Sequence, residues 1–276
     1  MGTPALAVPT GTEASASPVR SQLNSKSLLL ERLRTGALGW TGPLLVLLGR
    51  SLFMIAAQAI VASLLWMQSR TWSWNAAAKW WTVYGTLVDL GCLTLMRAYI
   101  GKEGIRLRDL IGPVHLRWGR DLFLGIACLC VIFPVFAMAF PTTSRLVYGS
   151  PQPDLYPGLL SGRSLPLWGV IYSLSLFWMV WSPTEEMTYN GYALPRLEVL
   201  CKRRWLALGI VVFWWALQHS FIPFILDWKY VAYRFLAFLP GVLVFALLYL
   251  RLRRLPPLIV AHWSMDISAI IYTLRF

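Results

Sequence analysis

Seven long apolar runs, almost free of charged residues, follow one another along this chain of 276 residues. Each run is close to the roughly 20 residues that a helix needs to cross the hydrocarbon of a bilayer. Other lipid-exposed backbone would leave polar groups unsatisfied, and no alternating, turn-separated strands of a barrel are evident. The pattern therefore predicts an all-α, polytopic transmembrane bundle of about seven spans. The runs are about 44–67, 80–98, 121–141, 165–182, 205–225, 234–250 and 256–274.

Basic residues near the ends of the runs predict which side of the membrane each connection faces. They precede the first, fifth and seventh runs and fill the connection between the second and third. This alternation predicts a cytoplasmic N-terminus and an external C-terminus, with residues 142–164 as an external loop. The residues are Arg20, Lys26, Arg32, Arg34, Arg97, Lys102, Arg106, Arg108, Arg117, Arg120, Arg196, Lys202, Arg203, Arg204, Arg251, Arg253 and Arg254.

The first 40 residues differ from the rest of the chain. They are rich in Ser, Thr, Ala and Pro and contain no short apolar core followed by a small-residue cleavage site, so we expect a mobile tail, not a signal peptide. Within the tail, residues 28–39 favour a short interfacial helix. Residues 41–276 then form the transmembrane helical domain. No organelle address is evident, and a bacterial cytoplasmic (inner) membrane is the expected location.

Composition supports a membrane protein and argues against other classes. The chain is 57% hydrophobic and 13% charged, whereas a soluble domain carries about 25% charged residues. The net charge of +13 does not indicate nucleic-acid binding, because Lys and Arg lie between apolar runs and not on one patch with exposed aromatic residues. The cysteines, which we expect to be small core residues, lack C-x-x-C spacing. They are Cys92, Cys128, Cys130 and Cys201.

Five ionisable residues in or beside the apolar runs are the candidate site: Glu185, Glu186, His219, His262 and Asp266. A charge at the centre of a membrane costs about 2.5 kcal/mol or more, so such residues are commonly functional. Four-residue spacing puts His262 and Asp266 on one helical face. Adjacent glutamates point about 100° apart, which predicts that the pair divides its roles.

Structural explanations compete with a catalytic one at these positions. Ser182 or Thr184 would cap a helix that begins near Pro183, and carboxylates are favoured in a first turn. A buried histidine that bonds to a neighbouring helix would explain His219 or His262 alone. His115 lies in the basic connection between the second and third runs, where a solvated or interfacial role is expected.

A carboxylate with two imidazoles can hold and deprotonate a water molecule and then stabilise charge as that water attacks a carbonyl group. Peptide hydrolysis fits these parts. Glu185, His219 and His262 are also a familiar ligand set for catalytic Zn²⁺. The residues leave the metal route and the carboxylate route both open.

Three motifs occur in order at these positions. Residues 185–197 begin Glu-Glu and end Leu-Pro-Arg-Leu, Trp215 precedes His219 by four residues, and His262 precedes Asp266 by four. Together they resemble the CPBP family of CAAX prenyl proteases and bacteriocin-processing (Abi-type) proteins. The resemblance covers about residues 183–270 and places a CPBP-like core at about 165–276.

The resemblance implies an intramembrane endopeptidase, of metallo- or glutamate type, that acts on a peptide or protein substrate, which is prenylated in CAAX processing. It implies Glu185 as general base, His219 as a holder of the water, and His262 with Asp266 as the group that stabilises or orients the oxyanion. Glu186 would support the helix arrangement.

The family usually has Arg where this chain has Asn190, so a charge-assisted pair to Glu186 is lost. This difference keeps a noncatalytic scaffold or regulator of the same fold as an alternative. A proton-coupled transporter, in which Glu, His and Asp relay protons, is a third reading. No H-E-x-x-H or G-x-S-x-G motif supports a zincin or a serine enzyme.

Overall fold

The computed structural model describes residues 23–112, 118–151 and 162–275, so the predicted tail up to residue 22 and His115 lie outside the described residues. Within these ranges the chain forms helices and no β-strand, apart from two isolated bridges. The helices are α1 (Lys26–Arg34), α2 (Thr41–Ser69), α3 (Trp74–Ala78), α4 (Trp81–Lys102), α5 (Leu107–Ile111), α6 (Trp118–Tyr148), α7 (Leu167–Tyr172), α8 (Trp178–Glu186), α9 (Leu194–Leu200), α10 (Arg204–Gln218), α11 (Trp228–Leu252) and α12 (Pro256–Thr273).

Three helices in the described part of the chain are long and apolar enough to cross a membrane. They are α2, α6 and α11, with 29, 31 and 25 residues. The apolar helix α10 is shorter, with 15 residues. The all-α class is confirmed over the described residues, whereas a count of about seven spans and a cytoplasmic N-terminus stay predictions.

Three predicted boundaries are wrong, and the first two lie after the third and fifth apolar runs. The external loop predicted at 142–164 begins later, because α6 continues to Tyr148. The run 205–225 is helical only as far as Gln218. Beyond it, the Arg234 side chain donates hydrogen bonds to the carbonyl oxygens of His219 and Ile222 at 2.9 and 3.0 Å. These oxygens therefore have partners without a further helical turn.

The fourth apolar run continues well beyond its predicted end at residue 182. Helices α7, α8 and α9 are joined by two π-helical segments, Ser173–Phe177 and Met187–Ala193, into one helical run. Such segments are rare and often lie at functional sites. Glu185 and Glu186 immediately precede the second one.

The core is formed by close helix packing. Helix α6 packs along both α11 and α12, and α2 packs along α4. At one contact α11 presents Gly241 to the ring of Phe136 on α6, and a Cβ atom at Gly241 would overlap that ring. The missing side chain therefore lets the two helices approach closely, as small residues do in membrane bundles.

The cysteines are only partly as predicted. Cys92 and Cys128 are buried, but Cys130 is exposed and Cys201 is partly exposed. Positions 128 and 130 point about 200° apart on a helix, so α6 cannot bury both against one neighbour.

Helix α1 overlaps the short helix predicted at 28–39, and a buried ion-pair cluster joins it to the rest of the fold. Arg196 Nε and Nη2 each donate to Glu103 at 2.7 Å, and Arg32 Nη1 donates to the same carboxylate at 3.2 Å. Asn24 Nδ2 donates to the carbonyl of Gly191 at 2.9 Å. These bonds hold the N-terminal segment against the second π-helical segment.

Arg163 fastens the chain before α7 to two other elements. Its Nη1 donates to the Lys79 carbonyl at 2.7 Å and its Nη2 to Thr273 Oγ1 at 3.1 Å. Burial lowers the pKa of this guanidinium to about 10, so it stays charged at neutral pH. These hydrogen bonds link the end of α12 to the short connection between α3 and α4.

Candidate active site

Glu185 and Glu186 lie inside the long helical run and are fully buried. The structural explanation in which Ser182 or Thr184 caps a new helix is therefore wrong. Thr184 Oγ1 donates to the carbonyl of Val180 at 2.7 Å, one turn back within α8. A helix N-terminus does not account for the two carboxylates.

Glu185 is surrounded by hydrogen-bond donors from two other helices. Its Oε1 accepts from the indole N–H of Trp215 and from Gln218 Nε2, the latter at 2.6 Å. Its Oε2 accepts from Arg50 Nη2 at 3.3 Å. Each oxygen of an ionised carboxylate has about two acceptor positions, so Oε1 is fully used and one position on Oε2 is left for a water molecule.

Arg50 and Asp89 belong to the same cluster but were missing from the predicted site. Arg50 on α2 donates to Asp89 Oδ1 at 3.0 Å and to Gln218 Oε1 at 2.7 Å, and all three residues are fully buried. The signal was present in the sequence. Both residues are charged and lie inside apolar runs, which is the same feature that marked Asp266.

His219 directly follows α10 and lies beside Glu185. Its Nδ1 is 2.8 Å from the Trp215 carbonyl oxygen, which only accepts hydrogen bonds, so in the neutral ring Nδ1 carries the proton. Nε2 then keeps its lone pair and lies 3.6 Å from Glu185 Oε1. The ring stacks on Phe238 with centroids 3.7 Å apart, which fixes its orientation.

The second glutamate holds the second histidine. His262 Nδ1 lies 3.1 Å from Glu186 Oε1, and His262 Nε2 lies 3.8 Å from Asp266 Oδ1, one turn along the same face of α12. Asn190 Nδ2 donates to Glu186 Oε2 at 2.8 Å. Ser182 Oγ donates to Asp266 Oδ2 at 2.5 Å. The two glutamates thus have different partners, as their 100° separation predicts.

All five predicted residues therefore come together, in two groups that are linked through the adjacent glutamates. The side chains of both glutamates are 0% exposed, those of His219 and His262 are 10% and 9% exposed, and that of Asp266 is 18% exposed. Among the five, Asp266 is the closest to the protein surface.

A catalytic Zn²⁺ ion needs three protein ligands that converge on one point. In the described ranges, no three His, Cys, Asp or Glu side chains are arranged so that they could hold one. His262 faces Glu186 and Asp266, and not the oxygens of Glu185. A Zn²⁺ ion on Glu185, His219 and His262 stays a prediction for experiment.

Residues 166–268 match the family model described as type II CAAX prenyl endopeptidase Rce1-like. This range contains all five predicted residues, and the match confirms the resemblance to CAAX-processing proteins. No curated protein and no solved structure matches the chain. Together with the three long apolar helices, the match supports an integral membrane protein with the general character of a CAAX-type endopeptidase.

Proposed function

We propose that this chain is an intramembrane endopeptidase that hydrolyses a peptide bond in a CAAX-type substrate with a water molecule activated by Glu185. The observation that carries the proposal is the pairing of Glu185 Oε1 with the lone-pair nitrogen of His219 at 3.6 Å. A water molecule that donates one proton to the open acceptor position of the Glu185 carboxylate and the other to His219 Nε2 would have its oxygen oriented for attack.

The chemical step follows from the roles of these groups. Glu185 takes a proton from the water, and the water oxygen bonds to the carbonyl carbon of the scissile peptide. The carbonyl oxygen becomes an oxyanion, which His262 with Asp266 stabilises or orients. When the carbon–nitrogen bond breaks, the proton on Glu185 passes to the leaving amine. The products are a carboxylic acid and an amine, the acid proton then passes to the amine to give a carboxylate and an ammonium group, and the enzyme is unchanged.

A prenylated C-terminus is the substrate class that we propose. A CAAX substrate carries its prenyl group on a cysteine near the end of the chain, and such an apolar chain partitions into the bilayer. Helices α2, α6 and α11 are long enough to put the site at that depth. The basic connections between the apolar runs favour access from the cytoplasmic side.

The test compares wild type with Glu185→Gln and with a control, Glu198→Gln, in detergent. Glu198 lies on α9, away from the site, and forms an ion pair with Arg253, the residue that follows α11. A panel of prenylated and unprenylated peptides is analysed by mass spectrometry, with and without a zinc chelator. We expect cleavage of prenylated peptides by wild type and Glu198→Gln, and a loss of about 10²-fold or more in Glu185→Gln.

The chelator arms separate the two routes to an activated water. Full activity after chelation supports activation by the carboxylate alone, whereas loss of activity that added Zn²⁺ restores supports the metal route. Equal cleavage by wild type and Glu185→Gln would overturn the proposal.

A noncatalytic scaffold is the second candidate, and Asn190 is the observation that favours it. Where the CAAX-processing resemblance has Arg, Glu186 receives a neutral amide bond from Asn190. A scaffold would bind its partner equally well with Glu185→Gln. Retained cellular function in that variant, together with no cleavage by wild type, would select this candidate.

A further inference from the structure

Arg50 is a buried cation that lies outside residues 166–268 and reaches the proposed general base from α2. We propose that Arg50 is a positioning residue, which fixes the orientation of the Glu185 carboxylate and compensates its charge. The inference rests on the proposed role of Glu185 as general base. The inference makes activity depend on a residue that lies outside the three motifs and outside the matched segment.

Arg50, Gln218 and Glu185 form a closed ring of hydrogen bonds. Arg50 Nη2 donates to Glu185 Oε2 at 3.3 Å, and Arg50 Nε donates to Gln218 Oε1 at 2.7 Å. Gln218 Nε2 in turn donates to Glu185 Oε1 at 2.6 Å. Because each carboxylate oxygen has its own donor, rotation of the carboxylate about its terminal bond would break both bonds. The ring therefore fixes the plane of the carboxylate relative to His219.

Arg50 is itself held in place by two groups from other helices. Its Nη1 donates to Asp89 on α4 at 3.0 Å, and the guanidinium lies 4.2 Å from the ring centroid of Trp181. The planar fork of an arginine can serve Asp89, Gln218 and Glu185 at the same time, whereas a lysine ammonium is a point charge that cannot reproduce this geometry.

The charge balance points to the same role. In the described ranges, Arg50 is the one Lys or Arg side chain that forms an ion pair with any of the five site residues. Arg50 supplies a guanidinium to Glu185 from α2, whereas the motif position held by Asn190 faces Glu186 from the same helical run. The charged and titratable groups around Glu185 are Arg50 on α2, Asp89 and Cys92 on α4, Glu186 on α8, Tyr189 in the second π-helical segment, His219 after α10, and His262 and Asp266 on α12.

The experiment compares Arg50→Gln and Arg50→Lys with a control, Arg254→Gln, which removes an arginine paired with Asp121 elsewhere in the fold. For each variant, kcat, KM and the pH dependence of kcat/KM are measured on the best-cleaved peptide. Arg50→Gln should lower kcat by about 10-fold or more with little change in KM. Its acid limb should move to higher pH by about one unit, because a nearby cation favours the ionised carboxylate.

Arg50→Lys should restore the position of the acid limb but only part of kcat, because it returns the charge without the fork. The control should keep the acid limb of wild type. If Arg50→Gln has the wild-type kcat and acid limb, the positioning role is wrong while the protease function stands.

A thermal double-mutant cycle tests the same contact without any enzyme assay. Unfolding temperatures are measured for wild type, Arg50→Gln, Glu185→Gln and the double variant. We expect the double variant to lose much less in unfolding temperature than the sum of the two single losses, because neither partner of the pair is then left without the other. Additive losses would overturn the pairing. This result is informative even if no peptide is cleaved, so the two proposals can fail separately.

Discussion

Asn190 donates its side-chain amide to Glu186 Oε2 at 2.8 Å, one turn further along the same helical run. Its own Oδ1 is buried and has no hydrogen-bond partner in the described part of the chain. Glu186 is therefore held between a neutral amide and His262. The arrangement depends on the amide presenting its N–H₂ group, and not an oxygen, to the carboxylate.

Asn190→Asp should destabilise the protein strongly. The change is nearly isosteric but replaces the donor by a second carboxylate beside buried Glu186, which costs about 2 kcal/mol or more. Thermal unfolding in detergent measures the loss. The control is Asn75→Asp, at an exposed position, which should stay close to wild type. Equal unfolding temperatures for the two variants would contradict the importance of this bond.

Ser182→Ala should impair cleavage more than it impairs folding. Ser182 Oγ donates to Asp266 Oδ2 and so orients the carboxylate next to His262. We expect kcat to fall by about 10-fold, because loosely held catalytic groups lose alignment. Ser264→Ala is the control, since Ser264 Oγ bonds, among the described residues, only to the Val260 carbonyl of its own helix. The same kcat in both variants would argue against a role for Ser182 in the site.

Two arginine–glutamate pairs should differ greatly in their importance for stability. Arg196→Ala leaves the buried carboxylate of Glu103 with Arg32 alone at 3.2 Å, so the loss should approach about 3–5 kcal/mol, the cost of a broken buried pair. The Arg253 side chain is 44% exposed, so its pair with Glu198 contributes about 1 kcal/mol or less. Chemical denaturation of both alanine variants compares them. Similar losses would show that the Glu103 cluster is hydrated.

The contact between Gly241 and Phe136 predicts opposite effects for two glycine substitutions. Gly241→Ala should destabilise by about 1–3 kcal/mol, because its Cβ atom overlaps the Phe136 ring. Gly209→Ala should be neutral or stabilising by up to about 1 kcal/mol, because nothing lies within 4 Å of the new atom. Unfolding temperatures decide the matter. Phe136→Leu should partly rescue Gly241→Ala, and a failure to rescue would point to a different clash.

The sequence was sufficient for the helical class and for the five residues that meet in the candidate site. Hydropathy identifies helices, and ionisable residues inside apolar runs stand out individually. The sequence was not sufficient to predict the contact between Arg50 and Glu185, which lie 135 positions apart. Periodicity within one helix says nothing about which helices become neighbours.

Helix ends were predicted less well, for a related reason. A capping residue such as Thr184 can start a helix or bond back to its own helix, and the choice depends on whether the preceding turn continues. The end of α10 depends on Arg234, a residue of the following helix, which no local pattern contains.

The π-helical segment Met187–Ala193 changes the direction in which the side chains after it point, relative to a uniform α-helix. Its i→i+5 turns change the phase of the chain, so the stretch before it and the stretch after it are aimed independently. The first aims Glu185 and Glu186 at the histidines of two other helices, and the second aims Arg196 at Glu103. The direction in which the reacting groups point is therefore set independently of the direction in which Arg196 points, although all three residues belong to one continuous helical run.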